Sequence, residues 1–568
     1  MSINRKITGS IMLQNNAKLK SLIVSLWDTF WSSGIANPMT AIEQITYLLF
    51  IKRLDELESK RERDAEWNNE EYKSKFSGNY TPFVDASKYR LGKSKNDGNF
   101  WFETQEELDK ALEEARKPRP KSELKWSFFK NKPAEEMMGH VRNNVFPFIK
   151  ELNGDTSPFT KHMTNAVFIL EKPSLLVEAI KKIDDIYSEI EKDAEDGKQT
   201  FQDIQGDVYE MLLSEIASAG KMGQFRTPRH IIKLMAEIVE PKLGDRIVDP
   251  ACGTGGFLLG AYQYILTDLV RKTEPKKLTI DEDGFESGIV SSVLDKKNKK
   301  TLEEGLVGFD IDVTMVRLGL MNLMMHGIDN PHIDYKDTLS KSYNEDASFD
   351  IVMANPPFTG KLDKGDINPD LKIDSTSTEL LFLSRISKML RAGGKAAVII
   401  PEGVLFGSSK AQKATRELLL KDSQLEAVIS LPAGAFKPYT GVKTAILVFT
   451  KVQEDSKDWH TEKVWFYSVD NDGYSLDDNR RKLKENPLPE VKIAFEARSK
   501  AKYEDRKNHF YVELNEIQDN DLDLSYNRYK EYEYIEQTYD PPKQILEKLI
   551  TMEEEILEDM NELKGLIG

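Results

Sequence analysis

The stretch MANPPFTGK, Met353 to Lys361, sets a carboxamide, two prolines and an aromatic ring just after an apolar run, FDIVMA. The run is β-prone and suits a central strand. Proline cannot donate to a ladder, so the strand stops at Pro356, and Pro357 keeps Pro356 out of the helical region. The chain leaves the sheet stiff and extended, with Asn355 at the strand's carboxyl end and Phe358 three residues on. In open α/β sheets that edge is where ligands bind. Upstream, RIVDPACGTGGFLLGA reads as strand, glycine turn and helix. Gly253 and Gly255, flanking Thr254, let the backbone turn sharply and approach a ligand. The turn is not GxGxxG, and no GxxxxGK[ST] occurs, so neither a pyrophosphate cradle nor a P-loop is indicated. Asp249 at the strand end would repel a phosphate but suits an ammonium, which S-adenosylmethionine carries together with a sulfonium.

Two further acids extend this ligand reading. The strand LVGFDID ends at Asp310 or Asp312, and an acid there typically bonds ribose hydroxyls. It lies farther along than the usual ~20 residues, and a polar insert over 273–300 accounts for the excess. Asp337, in DYKDTLS, stands at the mouth of the third strand, placed to accept from an adenine amino group. Ahead of the first strand, GQFRTPR supplies Gln224, Phe225, Arg226, Thr227, Pro228 and Arg229. Thr227 is expected to cap a helix with Pro228 at its first position, the segment passing over the cofactor's methionine end.

The elements that must position these residues fall into three regions. Up to about residue 200 the pattern is mostly helical. Thr40 and Glu43 have capping-box spacing, DVYEMLLSEIASAG ends on Gly220 as a helix stop, and the stretches around Phe100 and Trp126 read as aromatic-bearing loops. From 201 to 475, short β-rich runs alternate with helices, the pattern of a doubly wound, mostly parallel α/β sheet. The insert is expected at the surface. From 476 to 568 the chain is charged and helical. Its last helix, after Pro541-Pro542, carries Ile545, Leu549, Met552, Ile556, Met560, Leu563 and Ile567 as an apolar stripe. That stripe suits either internal packing or a partner.

Composition narrows the class. The 568 residues are 39% hydrophobic and 31% charged, with no long apolar run and no signal-peptide core near the start, so a cytoplasmic protein without membrane contact is expected. One cysteine, Cys252, and seven scattered histidines give no disulfide framework and no metal-ligand cluster. A net charge of −16 argues against unaided tight grip on DNA.

GQFRTPR, DPACGTGGF and NPPF, in that order, resemble the amino-methyltransferases. The whole chain resembles the modification (M) subunit of type I restriction-modification systems. LWDTFWSSG and ITYLLFIKRLDELE are similar to that family's N-terminal helical domain, and MNLMMHGI and LPAGAFKPYTGVKTAILVF to its core. NPP[FY] alone is shared with protein-glutamine and RNA methyltransferases; the combination is specific. The resemblance implies a Rossmann-like S-adenosylmethionine-dependent core, an N-terminal helical domain (1–200), a catalytic domain (201–475) and a C-terminal helical tail (476–568). It implies methyl transfer to N6 of adenine in double-stranded DNA. Asn355 and the Pro356 carbonyl accept the amine's hydrogens, Pro357 stiffens the loop, and Phe358 stacks on a flipped base. Phe436 supplies a second stacking face, with Tyr439 as the alternative. It also implies a separate specificity subunit, a second copy of the chain in an M2S complex, and a restriction subunit in the full assembly. No metal is implied.

Overall fold

The computed structural model describes residues 16–567 apart from 36, 83, 94–98, 155, 198–226, 289–293, 479, 501–504 and 532–540. The expected helix ending at Gly220 lies outside the described residues.

The N-terminal region is built on helices Ala17–Ser32, Pro38–Asn68 and Pro173–Gly197. The second does not start as the Thr40 spacing predicts. Asn37 caps it, its side chain accepting from the N–H groups of Met39 at 2.9 Å and Thr40 at 3.4 Å, with Pro38 at the first position. Glu43 instead takes the Tyr47 hydroxyl one turn along the same helix at 2.7 Å and, as a tertiary contact, the Arg317 guanidinium at 2.7 Å. The aromatic-bearing stretches contain two small ladders, Asn79–Tyr80 with Arg119–Pro120 and Tyr89–Leu91 with Phe100–Phe102, plus the short helix Trp126–Phe129. Trp126 is buried and donates to Asp184 at 2.9 Å, so this part is core rather than loop.

The second region carries a nine-stranded sheet. Its strands are β1 (Ile247–Asp249), β2 (Leu306–Asp310), β3 (His332–Tyr335), β4 (Phe349–Ala354), β5 (Leu390–Pro401), β6 (Ser423–Ser430), β7 (Thr444–Lys451), β8 (Lys463–Ser468) and β9 (His509–Glu513), in the spatial order β9-β8-β6-β7-β5-β4-β1-β2-β3. From β3 to β5 every pairing is parallel; β7 is antiparallel to both neighbours, and β9 is antiparallel to β8. All six residues of β4 are buried. Ile351 and Met353 join one apolar cluster, while Val352 and Ala354 join the other, because successive side chains leave opposite faces of a strand and helices cover both.

The C-terminal boundary of the sheet differs from expectation. The sheet runs past residue 475 to β9, and helix Leu488–Ala497 packs on helix Arg229–Val239, with Lys492 on Glu237 at 2.9 Å. A short edge strand among charged residues gives little periodic signal. The insert lies at the surface as expected, most of its described residues being exposed or half-buried, and is anchored at one point: Asp283 and Phe285 are buried, and a Cβ on Gly288 would lie 2.9 Å from Val270.

The N-terminal helices join the sheet through helix Val313–Met325. Arg317 reaches Glu43 and the His162 carbonyl at 2.9 Å, Arg53 donates to the Met325 carbonyl at 3.2 Å, and Arg61 pairs with Asp329 at 2.8 Å. The terminal helix, Pro542–Ile567, is unlike every other described α-helix. All its described side chains are exposed, and Leu546, Ile550 and Leu557 widen the apolar stripe. Packing against its own chain, one of the two options, is not seen among the described residues. No described helix is long and apolar enough to cross a membrane.

Candidate active site

At the end of β4 the chain turns out through Asn355-Pro356-Pro357-Phe358, with Asn355 half-buried, Pro356 buried and Pro357 exposed. The Asn355 amide is oriented by a distant segment: its Nδ2 donates to the Thr227 hydroxyl at 2.9 Å. Its Oδ1 is buried and meets no hydrogen-bond partner among the described residues. Thr227 is not the helix cap that spacing predicts. Helix Arg229–Val239 has Pro228 at its N-cap, with extended ψ of 140° and no side-chain cap bond. The buried Thr227 hydroxyl is therefore available to Asn355. Arg229 opens the helix, half-buried; Gln224, Phe225 and Arg226 lie outside the described residues.

Phe358 and Phe436 do meet, but not as two faces of a sandwich. Their rings touch edge to face, centroids 5.8 Å apart at 82°, and both are buried. This is a geometry that aromatic quadrupoles favour, and it leaves no slot between parallel rings. Phe436 backs Phe358, while Tyr439 is partly buried against the same apolar cluster.

The glycine turn lies beside this strand end. Gly253 has φ of +51°, its N–H donates to Asp310 Oδ2 at 2.8 Å, and a Cβ there would point into open space. Gly255, at φ +77°, caps helix Gly256–Thr273. The Thr254 carbonyl accepts from Asn322 Nδ2 at 2.9 Å. Asp249 ends β1 fully buried, with Oδ1 accepting the Ala251 N–H at 3.1 Å. Burial first, and Asp310 in addition, push its carboxyl up to about 8 despite that N–H. Burial raises Asp310 as well, whose Oδ1 accepts the Asp312 N–H at 2.9 Å. Of the two acids open at that strand end, Asp310 faces the turn, and Asp312 caps helix Val313–Met325. Asp337, half-buried, tightens the turn after β3 by accepting the Leu339 N–H at 2.9 Å. A buried acid and a half-buried one, both held above their ordinary pKa beside a turn with open space, fit a ligand that brings positive charge.

Three residues here are not singled out by motif spacing. Asn322 and Thr338 (hydroxyl to the Pro250 carbonyl, 3.2 Å) brace the turn from outside it. Ile311 is 67% exposed between Asp310 and Asp312, and a lone apolar residue between two strand-end acids is the signal that could have marked it.

A buried polar cluster ties this edge to the insert and to the chain after β8. His230 Nε2 lies 2.8 Å from Asp472 Oδ2 and stacks on Tyr474 at 4.5 Å. Arg480 also binds the fully buried Asp472. Lys233 bonds Asp281 at 2.5 Å and Asp283 at 3.2 Å. Burial works against the charge on Asp283, yet Lys233, His230 and Lys482 outweigh it and hold the carboxyl down at about 2.

Comparison with known proteins agrees with this architecture. The sequence model of the N-6 DNA Methylase family matches residues 200–538, and that of the HsdM N-terminal domain matches residues 19–183. The EcoEI type I restriction enzyme methylase subunit of Escherichia coli is 30% identical over 513 residues, covering 85% of this chain and 94% of that protein. Two solved structures share the fold. A chain described with complex assembly and conformational transition of the type I R-M system superposes with a TM-score of 0.59 at 24% identity, covering 97% of this chain and 99% of that one. A modification subunit of a putative type I restriction enzyme from Vibrio vulnificus YJ016 gives 0.59 at 21% identity, covering 88% and 93%.

Proposed function

The chain belongs to the N-6 DNA methylase family, among the methylase subunits of type I restriction enzymes, and from that premise we propose that Asn355-Pro356-Pro357-Phe358 is its catalytic loop and the glycine turn its S-adenosylmethionine site. One observation carries the proposal: Asn355 Oδ1 is a buried acceptor without a partner among the described residues, at the carboxyl edge of β4. Leaving such a group unmet costs about 1–3 kcal/mol, so the site is poised for a donor. The adenine amino group is one.

That amine is planar and weakly nucleophilic, because its lone pair is delocalised into the ring. Asn355 Oδ1 and the Pro356 carbonyl accept its two hydrogens, draw the nitrogen towards tetrahedral geometry and free the lone pair for attack. No strong base is needed for this step; the proton leaves afterwards. S-adenosylmethionine, when bound, supplies the electrophilic methyl group. Asp249, Gly253, Thr254, Gly255, Asp310 and Asp337 would hold it, together with Pro228, Arg229 and the segment Gln224 to Arg226, while the Thr227 hydroxyl is engaged by Asn355 instead. Asp249 would face its positive end, Asp310 its ribose and Asp337 its adenine. The target base has to leave its duplex to reach the loop. Phe358 then stacks on it, an interaction of about 1–3 kcal/mol per base, once its edge contact with Phe436 gives way.

The wider assembly follows from charge and from the terminal helix. A chain of net charge −16 is a poor sole binder of a polyanion, and the exposed stripe of Pro542–Ile567 asks for cover. We assign the stripe to a separate specificity subunit that selects the DNA site, flanked by two copies of this chain and joined by a restriction subunit in the full complex. In functional terms, 1–200 is the helical domain. The catalytic domain expected over 201–475 is completed by elements through β9, and the partner-facing tail shrinks to the terminal helix. Asn355→Ala tests the core of the reading. Cofactor affinity should stay near wild type while methyl transfer falls by at least about 100-fold, measured by tritium transfer to duplex DNA. Near-normal turnover in that variant would refute the role.

A further inference from the structure

We propose that Thr227 is a positioning residue for Asn355, its hydroxyl holding the carboxamide plane so that Oδ1 faces the incoming amine. The proposal rests on the catalytic reading of Asn355 above and deepens it. A carboxamide rotates over a broad well about its terminal bond, so a free Asn355 would sample orientations useless to an amine. Here the Nδ2 end is tied to Thr227 Oγ1 at 2.9 Å, and the Oδ1 end is the one left unmet among the described residues. An amide satisfied at its donor end and open at its acceptor end is set before substrate arrives, leaving no reorganisation for the moment of reaction.

Thr227 is itself held. It is 7% exposed, and Pro228 follows with its φ fixed at −57°. Two residues further, His230 is bonded to Asp472 at 2.8 Å and stacked on Tyr474. Asp472 is fully buried and bound by Arg480 as well. The hydroxyl that orients Asn355 therefore hangs from a helix start pinned by the chain after β8. Nothing in the local sequence of NPPF announces this partner, which lies 128 residues away.

The test compares Thr227→Val, which keeps shape and loses the hydroxyl, with Thr227→Ser, which keeps the hydroxyl. Both are assayed in the complex with the specificity subunit on a duplex carrying its site. Thr227→Val should lose about 10- to 100-fold in kcat, the scale of a misplaced reacting group. Its cofactor dissociation constant by calorimetry and its KM for duplex should stay near wild type. Thr227→Ser should recover most of the rate. Adding Thr227→Val to Asn355→Ala should cost no more than Asn355→Ala alone, because the two act as one unit. Should the valine variant melt early, Thr227→Ala takes its place against the same serine control. Wild-type kcat in the valine variant, an equally slow serine variant, or a loss confined to cofactor affinity each overturns the proposal. Normal turnover by Asn355→Ala would overturn the catalytic reading beneath it, whereas a dead Asn355→Ala beside a fully active Thr227→Val would sink the positioning role alone.

Discussion

Asp249 is an acid kept from ionising. Burial lifts its carboxyl from the ordinary range near 4 to about 8, so the folded state holds a proton that the unfolded chain has released. Its contribution to stability is full below pH ~4 and is lost as pH rises towards 8. A ligand ammonium at this carboxyl would favour the charged form and lower its pKa. Cofactor binding at pH 7 should thus release a fraction of a proton, read by calorimetry in buffers of different ionisation enthalpy. Asp249→Asn should abolish that release and weaken binding by about 10- to 100-fold, the scale of a charge-assisted hydrogen bond. Unchanged release and affinity would place the ammonium elsewhere. The position of Asp249, Asp310 and Asn355 at strand ends and of Gly253 in the turn is legible in the sequence, because strand, turn and helix signals are local. The Thr227–Asn355 bond and the Phe358–Phe436 contact are not, since each depends on which segments the fold brings together.

At the scale of elements, the same division holds. The parallel strands announce themselves as short apolar runs, and the helices between them as periodic ones. The helix at Pro38 misleads because Asn37 and Thr40 both have capping chemistry, and only the backbone decides that Asn37 takes the role. β9 escapes because HFYVE is brief and surrounded by charge. The terminal helix is legible in pattern, and its exposure turns that pattern into a prediction. Leu549 and Ile556 are 53% and 58% exposed, so Leu549→Asp with Ile556→Asp should leave the chain's melting temperature unchanged within about what surface substitutions produce, ±0.5 kcal/mol each. Burying both charges against a partner is costly. The double variant should bind cofactor and fail to co-purify with the specificity subunit; normal assembly would move the interface elsewhere.

For the whole molecule, the acidic surface and the exposed helix lead to one expectation. The chain alone should bind S-adenosylmethionine, methylate duplex DNA poorly, and gain at least about 10-fold in rate when the specificity subunit is added, since grip on a polyanion depends on neutralising phosphates. Tritium transfer with and without that subunit measures it; equal rates would make the chain self-sufficient. The lock at Asp472 has a different kind of consequence, one of timing. Synthesis runs from the N-terminus, so the ribosome has issued every motif from Thr227 to Phe358 before it reaches the residue that pins His230, the helix Leu488–Ala497 that covers helix Arg229–Val239, or β9 that closes the sheet. A nascent chain can carry all the chemistry and still lack the geometry. Competence in this protein is conferred late, by the stretch that looks least like an enzyme.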